Sequence, residues 1–489
     1  MFELDQVRLQ ITSKTDPRKK AQLGQFLTPG RIAEFMANLF KPTDNKNCSL
    51  LDPGAGMGVL SIAFLERFLS GELNLDSVSV TAFEIDDVIL PELYRQFQSY
   101  SEHNTNTVQV CTNDFISEAV KRIMKSDRPM YTHAILNPPY KKITSDSNYR
   151  LQLRQAGIET VNLYSAFVAL SLALLKPGGQ LVAIIPRSFC NGPYYRSFRE
   201  YILHYACLKH IHLFHSRDSA FSDEGVLQEN VIILLERNGS AKEVVISTST
   251  DDTFNDLQHN TFPVDRIISP NDPDKFINIP TVTTIPNLEN LHGISYSLSD
   301  LGIQVSTGPV IDFRVSDFLS SMPTNSTVPL LYPGHLTNQK INWPIEGFKK
   351  ANAIEINPET VKWLFPNGNY CLVKRFSSKE ERHRIVATAI SHDSFQYERL
   401  GFENHLNVFH QDKHGLPPTI AYGLAAYLNS SAVDEYFRLF SGHTQVNATD
   451  LKRLKYPSYQ ALHRLGELVL TNTSANQEDI EVQLMLLSA

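Results

Sequence analysis

Two short segments of this chain combine residue types that can hold a small charged ligand and act on an amino group. Residues 52–58 read Asp-Pro-Gly-Ala-Gly-Met-Gly and lie between an apolar run and an amphipathic one. Glycines let the backbone approach a ligand closely, and a helix N-terminus favours a carboxylate or a phosphate. Glu84 ends the next apolar run, where its carboxylate can accept hydrogen bonds from two ribose hydroxyls. This pattern predicts a site for a nucleoside-type cofactor, either NAD or S-adenosylmethionine.

The second segment, Asn137-Pro138-Pro139-Tyr140, fits alkylation of a planar amino group, whose delocalised lone pair makes it a poor nucleophile. The Asn137 side-chain oxygen can accept one amino hydrogen and the Pro138 carbonyl the other, which draws the nitrogen toward tetrahedral geometry. The two prolines stiffen the loop, and Tyr140 offers an aromatic face to a flipped base. Alone, the tetrapeptide also fits a rigid turn at a strand end. Together with the glycine loop and Glu84, it favours S-adenosylmethionine as the cofactor.

Apolar runs alternate regularly with amphipathic segments over the first half of the chain. Seven runs are strand candidates: residues 49–51, 79–83, 107–111, 133–136, 181–185, 207–213 and 231–235. Five segments have helical spacing: residues 59–69, 91–100, 115–124, 164–175 and 194–205. Such alternation predicts an α/β fold with a doubly wound, mostly parallel sheet, which binds ligands at the carboxyl ends of its strands. The glycine loop, Glu84 and Asn137 are therefore expected on one rim of the sheet.

The pattern changes after about residue 240. Residues 246–290 are rich in Ser, Thr, Asn, Asp and Pro, which predicts a linker or a loop-rich segment. Residues 291–489 contain short strand-like runs broken by Pro and Gly, and then a helical pattern from 419 to 440. We therefore predict a catalytic domain over residues 1–245 and a C-terminal domain of mixed α+β structure over residues 291–489.

The composition is that of an ordinary globular protein and narrows the choice of compartment and partner. The chain has 489 residues and a net charge of −7, so a nucleic acid would have to be bound by local basic clusters. The most apolar run is about half the length needed to cross a bilayer, and the acidic N-terminus differs from a signal peptide. Five cysteines without C-x-x-C spacing argue against a disulfide framework or a zinc finger. We expect no metal, no membrane partner and a cytoplasmic location.

Residues from roughly 20 to 240 resemble the γ-arrangement of the N6-adenine DNA methyltransferases, in which the cofactor motifs precede the catalytic one. The resemblance implies the class I S-adenosylmethionine-dependent methyltransferase fold, with Thr28 packed over the methionine end of the cofactor. The other implied cofactor residues are Asp52, Gly54, Gly56 and Gly58 in the glycine loop, Glu84 at the ribose, and Asp114 and Phe115 at the cofactor adenine. The implied catalytic residues are Asn137, Pro138, Pro139 and Tyr140, with Phe221 as a second aromatic wall for the target adenine.

The C-terminal half resembles the target-recognition region of restriction–modification methylases of the PstI/BsuBI type, which methylate adenine in a short palindrome. The implied DNA contacts are Gln445 and Asn447 at base edges, His443, Lys452 and Arg453 at phosphates, and Lys374 and Arg375, from a second basic cluster, along the duplex backbone. The first group also fits a polar loop that begins a helix, with Asn447 or Thr449 as its N-cap. The second also fits a solvated helix face.

Together these features predict a site-specific DNA methyltransferase that transfers a methyl group to N6 of adenine, as the protective methylase of a type II restriction–modification system. Its partners would be double-stranded DNA and a separately encoded restriction endonuclease, in the nucleoid of a bacterial or archaeal cell; monomer and dimer stay open. Two alternatives remain: an RNA or protein-amide N-methyltransferase with the same motif, and a catalytically silent DNA-binding specificity subunit. The intact motif residues argue against the silent subunit, and the long second domain argues against a small protein substrate.

Overall fold

The computed structural model of the chain describes residues 2–14, 26–101, 106–125, 130–214, 229–270, 272–280, 294–337, 339–376, 383–440, 445–472 and 480. The chain divides into two compact units, Met1–Val282 and Thr283–Ala489. The first unit contains the glycine loop and the Asn-Pro-Pro-Tyr segment, and the second contains the residues assigned to DNA recognition.

A nine-stranded sheet forms the centre of the first unit. Its strands are β1 (Asn47–Pro53), β2 (Ser77–Phe83), β3 (Asn106–Cys111), β4 (Tyr131–Leu136), β5 (Leu175–Pro186), β6 (Ala206–Phe214), β7 (Asn230–Arg237), β8 (Glu243–Ser249) and β9 (Gln258–Pro263). Their spatial order is β3-β2-β1-β4-β5-β7-β6-β8-β9. Strand β7 is antiparallel to both of its neighbours and β9 is antiparallel to β8, whereas the other pairings are parallel. The predicted mostly parallel sheet is confirmed.

Helices cover both faces of this sheet. They are α1 (Phe2–Lys14), α2 (Gly30–Asn38), α3 (Val59–Leu69), α4 (Leu90–Ser101), α5 (Phe115–Met124), α6 (Asn148–Gln155), α7 (Leu163–Leu174), α8 (Arg196–Tyr205) and the short α9 (Val264–Ile267). Successive strand residues alternate between two hydrophobic cores: Leu50 and Ile135 pack with α2 and α3, whereas Leu51 and Leu136 pack with α5 and α7. Burial on both faces explains why these strands are largely apolar runs. Because helices cover both faces, the sheet is doubly wound.

The predicted elements of the first half of the chain are confirmed, since all seven strand candidates and all five helical segments coincide with elements of the structure. The spatial order of the strands reverses at β1, because β2 and β3 lie to one side of it and β4 and β5 to the other. The loops that follow β1 and β4 therefore open on one crevice, which is where ligands bind in open α/β sheets.

Of the two predictions for segment 246–290, a linker or a loop-rich segment, the linker is wrong over the described residues. The segment contains most of β8 and all of β9 and α9, which extend the sheet beyond β6, and the first compact unit runs to Val282. Its polar side chains are satisfied by tertiary partners: the Ser247 hydroxyl lies 2.6 Å from Nε2 of His210 and 2.8 Å from Nδ1 of His212. Such pairing lets serine-rich sequence form a strand beside buried residues.

The second unit has the mixed α+β structure that was predicted. Its described strands are β10 (Gln304–Thr307), β11 (Leu319–Ser320), β12 (Thr327–Leu331), β13 (Leu336–Thr337), β14 (Lys340–Ile341), β15 (Ala353–Glu355), β16 (Phe365–Pro366), β17 (Tyr370–Lys374), β18 (Ala387–Ile390), β19 (Arg399–Phe402) and β20 (Leu406–His410). They form sheets of order β10-β20-β17-β18 and β11-β15-β12-β19-β16, and the pair β13-β14. Its helices are α10 (Pro418–Leu428), α11 (Ser431–Phe440), α12 (Ala448–Arg453) and α13 (Tyr459–Thr471). Across the described chain, the helices are too short or too polar to span a bilayer.

Candidate active site

A cavity opens at the carboxyl ends of β1 and β4 in the first unit. The empty space in and in front of it, counted out to the solvent at its open mouth, is about 820 Å³. The lining residues are Phe26, Leu27, Thr28, Gly54, Ala55, Gly56, Met57, Val59, Leu60, Phe83, Glu84, Ile85, Asp114, Phe115, Asn137, Pro139 and Phe167. The cavity therefore brings most of the predicted cofactor residues next to the predicted catalytic asparagine.

The glycine loop turns sharply between β1 and α3. The amides of Gly54 and Ala55 donate to the carbonyl of Phe83 at the end of β2, at 2.9 and 2.7 Å. The three glycines of the loop have φ between +56° and +81°, a conformation that other residues rarely adopt. Gly58 also lies against α4, since a Cβ at this position would be 2.8 Å from Cδ1 of Leu93. The loop therefore needs glycine here for both its conformation and its packing.

Replacing Gly58 by alanine is expected to destabilise the protein through both effects. Gly71 is the matched control, because it has the same φ of +81° and no atom within 4 Å of an added Cβ. Gly71→Ala should cost about 1–2 kcal/mol for the left-handed backbone alone. Gly58→Ala should cost about 1–3 kcal/mol more, because the new methyl group overlaps α4. Urea denaturation of both variants checks this difference, and equal losses of stability would contradict the close contact.

Glu84 is buried and holds the glycine loop from the side of β2. Its Oε2 accepts a hydrogen bond from the amide of Gly56 at 2.8 Å, and its Oε1 accepts from the amides of Ile85 and Asp86 at 2.8 Å each. Burial raises the pKa of the Glu84 carboxyl above its ordinary value, against the lowering effect of these three amides. A carboxylate offers about four acceptor positions. The position that remains is on Oε2, beside the glycine loop, and it suits a sugar hydroxyl.

Asp52 lies behind the glycine loop and is completely buried. Its Oδ2 accepts a hydrogen bond from the Ser61 hydroxyl at 2.7 Å, and its Oδ1 has no hydrogen-bond partner among the described residues. Burial, reinforced by the nearby Glu84 carboxylate, raises the pKa of Asp52 to about 7. Asp52 is not among the residues that line the cavity, so it supports the loop from behind.

Asp52→Asn is expected to stabilise the cofactor-free protein at high pH. Burial raises the folded-state pKa of Asp52 to about 7, well above the value near 4 of an exposed aspartate. The folded chain therefore binds this proton more tightly, and the free energy of unfolding falls as the pH rises from about 4 through 7. The neutral amide avoids this loss, which is at most roughly 4 kcal/mol above pH 8. Urea denaturation should show the gain mainly at pH 8.5 rather than pH 5, and identical pH profiles would refute it.

Asp114 and Phe115 stand at the start of α5 on the same rim. Asp114 is the helix N-cap, because its Oδ1 accepts from a first-turn amide at 2.8 Å, and its Oδ2 accepts from the Tyr149 hydroxyl at 2.9 Å. The ring of Phe115 packs against those of Phe83 and Phe167, with centroids 5.2 and 5.0 Å apart. Contact of Asp114 and Phe115 with the cofactor adenine stays a prediction. The sequence analysis missed the capping role, although an aspartate before an amphipathic segment is its usual signal.

The side-chain amide of Asn137 is held in one orientation. Its Nδ2 donates to the carbonyl of Phe26 at 2.8 Å and to the hydroxyl of Thr28 at 3.0 Å. Because a carbonyl oxygen can only accept, the atom that faces Phe26 must be the nitrogen. The Oδ1 atom is buried and has no hydrogen-bond partner among the described residues. Asn137 therefore lines the cavity with a side chain of fixed orientation, whose oxygen has no acceptor role among the described residues.

The rest of the tetrapeptide continues along the cavity. Pro139 lines it and Pro138 is buried. The Tyr140 hydroxyl donates to the carbonyl of Ile184 at 3.1 Å, and burial raises the pKa of the Tyr140 phenol. Its ring centroid lies 5.6 Å from that of Phe26, with the planes tilted by 46°. The ring is thus anchored at its hydroxyl end while the residue stays partly exposed.

Three residues contribute to the site in ways that the sequence analysis missed. The carbonyl of Phe26 and the hydroxyl of Thr28 hold Asn137, although they lie 111 and 109 positions from it in the chain. Phe167 lines the cavity from α7. Almost all residues of this helix are buried, so the sequence did not distinguish Phe167 from the core residues around it. Met57 of the glycine loop is buried in the core and also lines the cavity. Phe221 lies outside the described residues.

In the second unit, the structure brings together residues from the two predicted DNA-binding clusters. The Arg375 guanidinium donates to Oε1 of Gln445 at 3.3 Å, to Oδ1 of Asn447 at 3.4 Å and to the carbonyl of Asn404 at 2.9 Å. Asn447 is the N-cap of α12 and forms a capping box with Asp450. The helix-capping alternative thus holds for Asn447, and both terminal nitrogens of Arg375 donate to protein acceptors.

The remaining predicted DNA contacts differ in exposure. Lys452 is exposed on α12, whereas Arg453 and Lys374 are half-buried. The solvated helix face proposed as an alternative does not hold for Lys374, since it ends strand β17. His443 lies outside the described residues. Phosphate contacts by these side chains stay predictions.

The polar and apolar groups that line the cavity fit the chemical groups of S-adenosylmethionine. Glu84 offers an acceptor to a sugar hydroxyl, Phe83 and Phe115 offer an apolar surface to a base, and the start of α3 favours a carboxylate. A Cβ on Gly56 would lie 3.1 Å from Cδ2 of Leu27, so the loop has little room for a larger residue at this position. No group of His, Cys, Asp or Glu side chains in the described parts of the chain is arranged to hold a metal ion.

Comparison with known proteins gives matches over nearly the whole chain. Residues 69–221 match the family model described as Eco57I restriction-modification methylase. The chain is 48% identical to the type II methyltransferase M.BsuBI of Bacillus subtilis over 96% of this chain and 94% of that protein. It is 42% identical to the type II methyltransferase M.PstI of Providencia stuartii over 95% of this chain and 93% of that protein.

Among solved structures, the chain is similar in fold to the type IIL restriction-modification enzyme MmeI in complex with DNA. The TM-score is 0.53 at 10% identity, over 98% of this chain and 72% of that one. Because two relatives share more than 40% of their residues with this chain over nearly their full lengths, the chain belongs to the type II DNA methyltransferases of restriction–modification systems, which use S-adenosylmethionine.

Proposed function

We propose that this methyltransferase acts on the N6 amino group of adenine in a short duplex DNA motif. The observation that carries the proposal is the amide of Asn137, whose nitrogen is held by Phe26 and Thr28 while its oxygen is left without a partner at the cavity wall. An exocyclic amino group has two hydrogens to donate and no other ready way to expose its lone pair. The arrangement therefore matches an amine better than a ring carbon.

The cysteines support the same choice. Methylation of a ring carbon of cytosine requires a nucleophile that adds to the ring first, and a thiolate is the usual group for such addition. None of the described residues that line the cavity is a cysteine. Cys48, Cys190 and Cys371 are buried, and burial raises the pKa of each thiol. These thiols are neither placed nor ionised for that chemistry.

The target base would leave the DNA stack to reach Asn137. Unstacking costs a few kcal/mol, which a fitted aromatic site can offset. The anchored ring of Tyr140, with Phe26 beside it, offers an aromatic surface next to the Asn137 oxygen. The bound cofactor supplies an electrophilic methyl group on a positively charged sulfur.

Proton transfer needs no carboxylate base in this site. The carboxylates that line the cavity belong to Glu84 and Asp114, and their oxygens accept hydrogen bonds from the glycine loop, the adjoining backbone and Tyr149. S-adenosylmethionine held by these cavity residues would supply the methyl group, and its carbon–sulfur bond would break as the carbon–nitrogen bond formed. The amino nitrogen then gives up one proton to water. Asn137 orients the amine throughout, and positioning supplies most of the rate.

We also propose that the chain is the modification enzyme of a system whose endonuclease is a separate chain. Both close relatives are described as methyltransferases and are covered almost completely by this chain. Expression in a bacterial host should then protect the host DNA against one restriction specificity without cleaving it.

Single-molecule sequencing of DNA from a methylation-free bacterial host that expresses the protein tests the proposal. N6-methyladenine at one short motif is the expected result. Methylation of cytosine would refute the choice of base. Unmodified DNA, from a host in which the purified protein is folded and binds S-adenosylmethionine, would refute DNA as the substrate and favour RNA.

A further inference from the structure

Three turns of the second unit meet at one surface position: the end of β17, the turn between β19 and β20, and the loop before α12. The amide of Arg375 donates to the carbonyl of His405 at 2.9 Å, and the amide of Val446 donates to the carbonyl of Arg375 at 2.7 Å. The buried side chain of Asn407 donates to the carbonyl of Val446 at 2.7 Å. Backbone and buried side-chain hydrogen bonds therefore fix the three turns relative to one another.

A buried carboxylate orients the imidazole in the turn between β19 and β20. Glu403 is completely buried, and its oxygens accept from the amide of His405 at 2.9 Å and from Nδ1 of His405 at 2.6 Å. Because the carboxylate accepts, Nδ1 carries the hydrogen and Nε2 points away from Glu403. The His405 side chain is 45% exposed. Its Nε2 is thus the polar atom that the turn offers to a partner.

The complete burial of Glu403 indicates that its carboxylate has a specific role. Burial of a carboxylate is costly, and a buried ion pair is often no more stabilising than apolar residues of the same size. The backbone already holds this turn, since the amide of Glu403 donates to the carbonyl of Leu331 at 3.0 Å and that of Asn404 to Val310 at 2.9 Å. What the carboxylate adds is a fixed orientation of the His405 ring.

Two further side chains lie beside the imidazole. Phe376 is 46% exposed, and its ring centroid is 5.2 Å from that of His405. Gln445 is paired with Phe376 through an isolated β-bridge, and its Oε1 accepts from Arg375, which directs its NH₂ group away from that contact. An oriented imidazole nitrogen, a carboxamide and an aromatic ring are groups that contact base edges and thymine methyl groups in the major groove.

We propose that His405, oriented by Glu403, contacts a base edge in the major groove and determines one base pair of the recognition sequence. The sequence analysis assigned base reading to Gln445 and Asn447 and gave no role to residues 403–405. The inference rests on the proposed function, because it requires a duplex DNA substrate. His405 is the contacting residue, and Glu403 is a positioning residue that acts through it.

The surroundings favour a base edge over a phosphate as the ligand. The Arg375 guanidinium already donates to the carbonyl of Asn404 and to the side-chain oxygens of Gln445 and Asn447. Asp312 lies close enough for His405 to contribute to the lowering of the pKa of its carboxyl, a shift that comes mainly from the Lys350 ammonium 2.7 Å away. Because Asp312 and Lys350 neutralise each other, this pair adds no net positive charge that would favour a phosphate over an uncharged base.

The test compares four proteins in a bacterial host whose DNA is otherwise free of methylation: the wild type, His405→Ala, Glu403→Gln and His392→Ala. His392 is the matched control, because it also pairs with a carboxylate, Asp393, and its side chain is 62% exposed. Sequencing of the host genome, which contains every short sequence, reports all methylated sites. We expect His405→Ala to methylate sites that differ from the wild-type motif at one base pair, with discrimination there reduced about 5- to 150-fold. Glu403→Gln should relax the same base pair less, and His392→Ala should match the wild type.

Two results would overturn the inference. One is a His405→Ala enzyme with wild-type discrimination at every position, and the other is a uniform loss of methylation at an unchanged motif, which indicates a phosphate contact or a structural role. His405→Ala leaves a buried carboxylate without its partner, so the double variant Glu403→Gln/His405→Ala is the folding safeguard and should relax the same base pair. A wild type that methylates no motif would instead refute the proposed function.

Discussion

Asn137→Ala is expected to lose nearly all methyl transfer while it still binds S-adenosylmethionine. Removal of one preorganised group at a reacting centre typically lowers kcat by about 100- to 1000-fold. Here the variant also loses the contacts that tie the catalytic loop to Phe26 and Thr28, so the loss should reach the upper end of that range. Cofactor affinity should change less than about threefold, because Asn137 is one of many residues that line the cavity. Single-turnover methylation and calorimetry with the cofactor measure the two quantities separately.

Two further variants separate contact from positioning at this residue. Asn148→Ala is the matched control, because Asn148 is exposed at the start of α6, and its rate should equal that of the wild type. Thr28→Val removes one of the two acceptors that hold the Asn137 nitrogen and keeps the other. It should lower kcat about 2- to 10-fold, in line with the loss of one hydrogen bond. A wild-type rate in Asn137→Ala would refute the proposed role of its oxygen.

The fold of the first unit was predictable because its central strands are buried on both faces. Strands such as β4, in which every residue is buried, are mostly apolar, and the helices between them are amphipathic. The edge strands follow a different rule. In β9 only Phe262 is buried, so the segment has the composition of a loop. That is why residues 246–290 were predicted as a linker or a loop-rich segment.

Sequence reasoning found the site where chemistry depends on neighbours in the chain, and it failed where chemistry depends on tertiary contacts. The glycine loop and the Asn-Pro-Pro-Tyr segment are local patterns, and the topology of the sheet then brings them together. The orientation of Asn137 depends on Phe26 and Thr28, which are more than 100 positions away. In the second unit the strands are at most five residues long, too short for periodicity. The pairing of Arg375 with Gln445 and Asn447 therefore had no signal in the sequence.

Glu84→Gln is expected to weaken the binding of S-adenosylmethionine by about 10- to 150-fold, the usual effect of losing a hydrogen bond to a charged group. Three backbone amides point at this carboxylate, that of Gly56 at one oxygen and those of Ile85 and Asp86 at the other. A glutamine can place its oxygen toward only one of these two sides. If the oxygen faces Ile85 and Asp86, the NH₂ group meets the Gly56 amide, and the acceptor beside the glycine loop becomes a donor. Both the loop and the ribose position are then disturbed.

This effect differs in kind from that of Asn137→Ala, because it should disappear when the cofactor is saturating. With enough cofactor, Glu84→Gln should recover a kcat close to that of the wild type, since the predicted role of Glu84 is to bind the ribose and not the reacting amine. Asp87→Asn is the matched control: its carboxyl is exposed three residues farther along the chain, and its Kd should be unchanged. Calorimetry gives the Kd values, and thermal unfolding confirms that each variant is folded. A Kd for Glu84→Gln equal to that of the wild type would mean that the ribose is held by other groups of the cavity.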